Sequence, residues 1–239
     1  MSVVYLLLRG WAAIVRASRR GLEVVGVLGA MENWARRSRI ALWLRSLLSL
    51  YDVRDFVKLD LPWWTLDSMS LVDQFLTQRP GARVFEWGSG ASTMWLEKRA
   101  AQVTSVEYDP EWADMMRPLV GPSTTLLVVP ATPTASPEVP SQMWGHKQLD
   151  YRDYVAAIDT VDGEFDLIVI DGRARSACLA AAMDRLSPDG MIVFDNTNRR
   201  RYRPALDAVS GALRETTTSG LTPSLPWSTE TTLLRKPSP

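Results

Sequence analysis

Residues 83–92, Arg-Val-Phe-Glu-Trp-Gly-Ser-Gly-Ala-Ser, constrain this chain more than any other stretch. Val84 and Phe85 read as a short buried strand. Gly88 and Gly90 allow a tight turn and a close approach of backbone to a ligand. Ser92 or Thr93 is placed to cap a helix over 94–101. A strand, turn and helix in that order aim backbone N–H groups at one spot, ready for a polar ligand. Seventeen residues past Gly90, Glu107 ends a second apolar-alternating run at 103–106. An acid at the tip of the next parallel strand can accept both hydroxyls of a ribose. Thr93 stands where the dinucleotide fingerprint has its third glycine, which counts against NAD and FAD. A Gly-x-Gly turn also occurs in ordinary strand–helix connections, so the later elements carry part of the argument.

Those elements alternate. Helices are expected over 65–76, 110–120, 150–158, 174–186 and 202–213, with strands at 124–129, 165–170 and 191–194. The continuous apolar run at 165–170 fits a strand covered on both faces, hence a parallel sheet. Ser187-Pro188-Asp189-Gly190 reads as a turn closing the helix before it. Two β-branched runs, 214–218 and 229–234, suggest a closing antiparallel hairpin. The fold class is α/β, a doubly wound, Rossmann-like seven-stranded sheet with a terminal hairpin and a helical N-terminal arm. Residues 130–148, with four prolines and the only histidine, His146, form a long loop on the ligand side of the sheet.

Glu86-x-Gly88-x-Gly90 with Glu107 downstream resembles the pattern of class I S-adenosylmethionine-dependent methyltransferases, over about residues 62–236. The resemblance implies that the glycine loop passes the methionine part of the cofactor and that Glu107 binds its ribose. It also implies a last strand lying antiparallel between its neighbours. The implied cofactor-binding set is Glu86, Gly88, Ser89, Gly90, Ser92, Glu107, Tyr108 and Asp171. Glu86, Glu107, Asp171 and Asp195 all fall at carboxyl ends of strands, where such sheets bind ligands, and an acidic cradle suits a cationic sulfonium. Much of methyl transfer is positioning of nucleophile, methyl and sulfur in line, but an oxygen nucleophile still needs a base or a metal. Asp171, Asp195 and His146 are the catalytic candidates. Asp171 with Asp195 and Asn196 resembles the magnesium site of catechol O-methyltransferases, and their hard oxygen atoms suit Mg2+. In the other reading Asp171 orders its loop and Asp195 acts as a lone base. Gly172-Arg173-Ala174-Arg175-Ser176 departs from the catechol enzymes. It looks more like a bacterial group that modifies sugars and glycans. The implied activity is methylation of oxygen on a glycan, glycolipid or other small molecule near a membrane. The rival readings are an NAD(P)-binding oxidoreductase and a non-catalytic membrane adaptor that keeps the fold.

Net charge is zero but unevenly placed: residues 1–50 hold eight arginines and two acids, a net +6, so the remainder carries −6. We expect a basic amphipathic arm over 1–58 and a catalytic domain over 59–239. Apolar blocks at 3–8, 11–15 and 22–31 are broken by arginine, and no uncharged run approaches the about 18 residues of a spanning helix. Two main readings of the arm stay open: interfacial helices on a bilayer surface, or packing on the domain or on a second subunit as a homo-oligomer; a short, imperfect anchor is a third. No secretory cleavage pattern is visible, and one cysteine fits a reducing compartment. The expected location is cytoplasmic, peripheral on the inner membrane face. Cys178, in an alanine-rich helix, reads as a buried structural thiol, and no Cys/His cluster supports zinc. Trp63 and Trp64, after the helix-breaking Pro62, line a substrate pocket or pack in the core. Arg199, Arg200, Arg201 and Arg203 could hold a phosphate or carboxylate of the acceptor, or form a solvated turn. Nucleic acid is not expected as a partner, because the catalytic portion is net acidic.

Overall fold

The computed structural model describes residues 15, 17–50 and 52–237. The apolar block at 3–8 and Trp11 lie outside the described residues. The described part of the arm is largely helical, with α1 at Val27–Ala35, α2 at Arg39–Ser46 and α3 at Val53–Leu59. Much of it packs. Arg45 is fully buried and donates to both Asp55 oxygens, at 2.8 and 2.9 Å, and to Glu32 at 3.0 Å. Arg19 pairs with Asp52 at 2.7 Å and Asp55 at 2.8 Å. Trp43 Nε1 donates to the carbonyl of Leu225 at 2.9 Å, and the Ser224 N–H donates to Ser46 Oγ at 3.0 Å. These contacts join α2 to the loop of the C-terminal hairpin. Among the described residues no helix is long and apolar enough to cross a membrane.

Seven strands form one sheet: β1 (Arg83–Trp87), β2 (Gln102–Glu107), β3 (Thr124–Val128), β4 (Phe165–Ile170), β5 (Leu186–Asp195), β6 (Arg214–Gly220) and β7 (Thr229–Arg235). Their order is β3-β2-β1-β4-β5-β7-β6. The first five are parallel, and β7 lies antiparallel between β5 and β6. Helices cover both faces: α4 (Leu66–Thr77, capped by the Thr65 hydroxyl), α5 (Ala91–Glu97), α6 (Pro110–Met116, capped by Asp109), α7 (Arg152–Ala156), α8 (Arg175–Ala182) and α9 (Arg203–Val209). Each face of the sheet packs an apolar core. One packs Phe85, Ile168, Ile170 and Phe194 with α8; the other packs Val84, Val103, Leu167 and Val193 with α4. Period-two alternation sends the side chains of one strand to both. Cys178 is buried in the first core as expected.

Two local readings change. The expected turn at 187–190 lies within β5. Leu186 pairs with Phe165 and Met191 with Leu167, so 187–190 bulge out of the ladder, which is where a strand tolerates Pro188. The tight turn after β1 belongs to Gly88 alone, at φ +101°, while Gly90 is extended at φ −178°. A Cβ on Gly88 would sit 2.7 Å from the Cα and N of Gly172; one on Gly172 would sit 1.9 Å from the Tyr154 hydroxyl. Gly88→Ala therefore meets both a left-handed φ and a backbone overlap. It is expected to destabilise the fold by at least about 2 kcal/mol in urea unfolding. An unchanged midpoint would show that the two loops can move apart freely.

Candidate active site

The carboxyl ends of β1, β2 and β4 surround a cavity of about 310 Å3. Its floor is the loop Gly88–Ser92, and its walls include Glu107, Tyr108, Trp112, Asp171 and Arg173. Asp52, Val53, Phe56 and Trp63 close it from the N-terminal side. Trp63 was a candidate for a pocket wall; the contribution of Asp52, Val53 and Phe56 was not foreseen, because the expected arm reached 58. The only hint was the spacing of Val53, Phe56 and Val57 on one helix face.

Glu107 is 4% exposed, and its oxygens are already ordered. Oε2 accepts from the Ser89 hydroxyl at 2.9 Å and the Ser89 N–H at 3.2 Å; Oε1 accepts from the N–H groups of Tyr108 at 2.8 Å and Asp109 at 3.0 Å. Burial raises its pKa, and these hydrogen bonds pull it back down. The glycine loop and the second-strand acid are thus one hydrogen-bonded unit. Trp112 Nε1, donating to the Ser89 carbonyl at 2.9 Å, braces it.

Glu86 was expected to bind cofactor, but it does not line the cavity. It is fully buried and accepts from the hydroxyls of Ser92 at 2.5 Å, Thr93 at 2.6 Å and Ser105 at 2.7 Å. Burial pushes its carboxyl up to about 7, against the pull of those hydroxyls. Its geometry is that of an anchor tying α5 to β1 and β2. Ser92 and Thr93 are not caps; Gly90 holds the cap position, and its N–H donates to Thr93 Oγ1 at 3.0 Å.

A second cavity, of about 350 Å3, shares Trp63 and Asp171 with the first and is lined further by Asp195, Asn196, Asn198, Arg199 and Trp227. Asp171 stands in the wall between the two. Trp63 lines both, while Trp64 is fully buried core. Between Asp171 and Asp195 lies a residue the sequence reading gave no role, Arg175. Its side chain is 5% exposed; Nη2 is 2.7 Å from Asp171 Oδ1, and Nη1 is 3.8 Å from Asp195 Oδ2 and donates to the Asp195 carbonyl at 2.6 Å. The signal for it was an arginine four residues after Asp171, in the first turn of α8. Asp195 also accepts from Thr231 Oγ1 at 2.7 Å and from the Asn196 side-chain amide.

This arrangement does not fit the magnesium ion. The guanidinium already occupies the ground between the carboxylates, and the Asn196 side chain donates to Asp195 through its nitrogen. Among the described residues no cluster of three or more His, Cys, Asp or Glu is arranged to hold a metal. His146 also stands apart. It lines neither cavity; Nδ1 meets the Tyr151 hydroxyl at 2.5 Å, and its ring sits edge-on to Tyr108. Burial and the nearby Arg173 charge lower its pKa.

Burial raises both Asp171 and Asp195. The Asp171 charge further raises Asp195, which is pushed up to about 7 even with Arg175 beside it, while Arg175, Arg199 and Arg173 and a hydrogen bond with Asp195 pull Asp171 part of the way back down. The buried Asp195 carboxyl is thus harder to ionise than one in water.

The sheet order, the ordered acid at the tip of β2 and the glycine loop that it grips coincide with a family match. Residues 85–197 match the family described as "Methyltransferase domain". Over these residues the chain is similar to methyltransferase domains, and its seven-stranded sheet has the class I methyltransferase fold. Solved structures share its fold. The O-methyltransferase from Bacillus cereus, solved with S-adenosylhomocysteine, is 14% identical with a TM-score of 0.58, over 77% of this chain and 90% of that one. The O-methyltransferase TomG from Streptomyces achromogenes, solved with S-adenosylmethionine, is 14% identical with a TM-score of 0.56, over 78% and 89%. No curated protein matches in sequence. The family match runs from Phe85 in β1 to just past Asp195, so it takes in Glu107, Asp171 and Asp195 but not Asp52, which also lines the first cavity.

Proposed function

We propose that this methyltransferase moves the methyl group of S-adenosylmethionine to an oxygen of a small-molecule acceptor, such as a glycan or glycolipid hydroxyl. The observation that carries this is the place of Asp171, in the wall shared by two cavities, beside the buried carboxyl of Asp195. In this reading the first cavity takes the cofactor. Gly88, Ser89 and Gly90 present backbone to the methionine part, Glu107 takes the ribose hydroxyls with Ser89 giving way, and Tyr108 flanks the base. The acceptor enters the second cavity beside Trp63 and Trp227. Its hydroxyl proton passes to the Asp171–Asp195 pair as the oxygen attacks the methyl carbon and the sulfur leaves with the bonding electrons. A base with a pKa near the working pH suits that transfer.

Glu107→Ala tests the cofactor assignment. Losing charge-assisted hydrogen bonds is expected to weaken S-adenosylhomocysteine binding by about 10- to 150-fold, or ~1.5–3 kcal/mol, in calorimetry. A folded variant with wild-type affinity removes Glu107 from the ribose.

The arm supports a peripheral membrane reading in one zone only. Val24, Val25, Val27, Trp34 and Ile40 are exposed on it, beside exposed Arg20, Arg36 and Arg37. Apolar burial and attraction to anionic lipid act together on such a surface. Phosphatidylglycerol vesicles should sediment the intact chain at low salt, and Val24→Ser/Val25→Ser/Trp34→Ser should release it. If the intact chain ignores vesicles and instead self-associates, the surface belongs to a second copy.

A further inference from the structure

A third cavity, of about 220 Å3, shares Gly172 and Arg173 with the cofactor cavity and Arg199 with the acceptor cavity. Its wall carries four arginines, Arg173, Arg175, Arg199 and Arg201, against one acid, Glu138. Arg175 is committed to Asp171 and Asp195, and Glu138 is already paired with Arg152 at 2.9 Å. Among the described residues, none of Arg173, Arg199 and Arg201 has a carboxylate within ion-pair distance. The Nε atoms of Arg173 and Arg201 are buried without a hydrogen-bond partner. Each guanidinium is held over a ring, Arg173 over Tyr108 and Arg201 over Tyr202, both at 5.1 Å from the centroid. Buried N–H groups without acceptors are costly, and three like charges around so small a space repel one another. One ligand removes both penalties.

We propose that this cavity is an oxyanion subsite that takes a phosphoryl group of the methyl acceptor, gripped by Arg173, Arg199 and Arg201. The proposal rests on the acceptor reading above, because Arg199 lines both spaces. A carboxylate is satisfied by a single bidentate guanidinium. Three guanidinium groups match the three oxygens and the charge of roughly −1.5 to −2 on a phosphomonoester at neutral pH. The acceptor is then a phosphorylated molecule whose free hydroxyl reaches Asp171 while its phosphate is held beyond Arg199.

Calorimetry of the full chain with inorganic phosphate, against acetate at matched ionic strength, tests this. Wild type is expected to bind phosphate, with acetate at least tenfold weaker. Arg173→Ala and Arg201→Ala should each weaken phosphate at least tenfold, and Arg201→Lys, which keeps the charge but loses the fork, should fall between. Arg117→Ala, at an exposed arginine outside all three cavities, should change nothing. Equal phosphate binding by wild type and the folded Arg201 variants, or equal affinity for acetate, overturns the subsite. S-adenosylhomocysteine is titrated into the same proteins. If wild type fails to bind it, the cofactor assignment falls, while the phosphate result still decides the subsite on its own.

Discussion

Asp171→Asn is expected to slow methyl transfer by about 10²- to 10⁴-fold, the usual span for losing a positioned base. The wild-type rate should climb with pH through about 7, as the Asp171–Asp195 pair gives up its proton, and should survive exhaustive EDTA treatment. In Asp171→Asn the like charge that raises Asp195 is gone, so any residual rate should inflect at lower pH than wild type. Cofactor affinity should change far less than rate, because Glu107 and the glycine loop stay as they are. A wild-type rate that is flat between pH 5 and 8, or an Asp171→Asn rate within about threefold of wild type, would take the pair out of the chemistry.

Arg175→Ala is expected to lower stability by about 3–5 kcal/mol, the range for removing one partner of a buried ion pair. Its guanidinium faces Asp171, Asp195 and three backbone carbonyls, of residues 171, 172 and 195, and solvent cannot replace it. The deficit carries a sign in pH. Without the cation both carboxyls rise further above their unfolded value of about 3.9. A carboxyl raised in the fold favours the fold below that unfolded value and loses the benefit as pH rises through its folded pKa. The variant should therefore approach wild type near pH 4 and fall furthest behind above pH 7. Urea unfolding across that range checks it. A deficit that shrinks toward high pH would mean that Arg175 does not serve these carboxyls.

What the sequence made legible was whatever depends on local pattern. The apolar run of β4, the strand-and-glycine unit at β1 and Glu107 at the end of β2 could each be read from neighbours in the chain. So could the last strand's place in the sheet, once the resemblance was drawn. What stayed hidden depends on partners far apart in the chain. Glu86 looked like a ligand-facing acid because Ser92, Thr93 and Ser105 read as helix caps and strand residues, not as donors to it. Arg175 was hidden for the same reason, since Asp195 lies 20 residues on and arrives only through the pairing of β4 with β5. His146 drew attention by being the only one of its kind, yet scarcity says nothing of where a loop folds. The 187–190 turn was correct as local chemistry, but the sheet absorbed it as a bulge.

The contact of Gly88 with Gly172 has a bearing on how the two halves of the reaction communicate. With no side chain between them, the loop proposed to meet the cofactor and the loop that carries Asp171 and Arg173 abut as bare backbone. Neither can move toward the other without displacing it. If the proposed cavities hold cofactor and acceptor, each arrival presses on the same backbone contact. Thermodynamic reciprocity then fixes the outcome: whatever factor the cofactor adds to acceptor affinity, the acceptor must return to the cofactor.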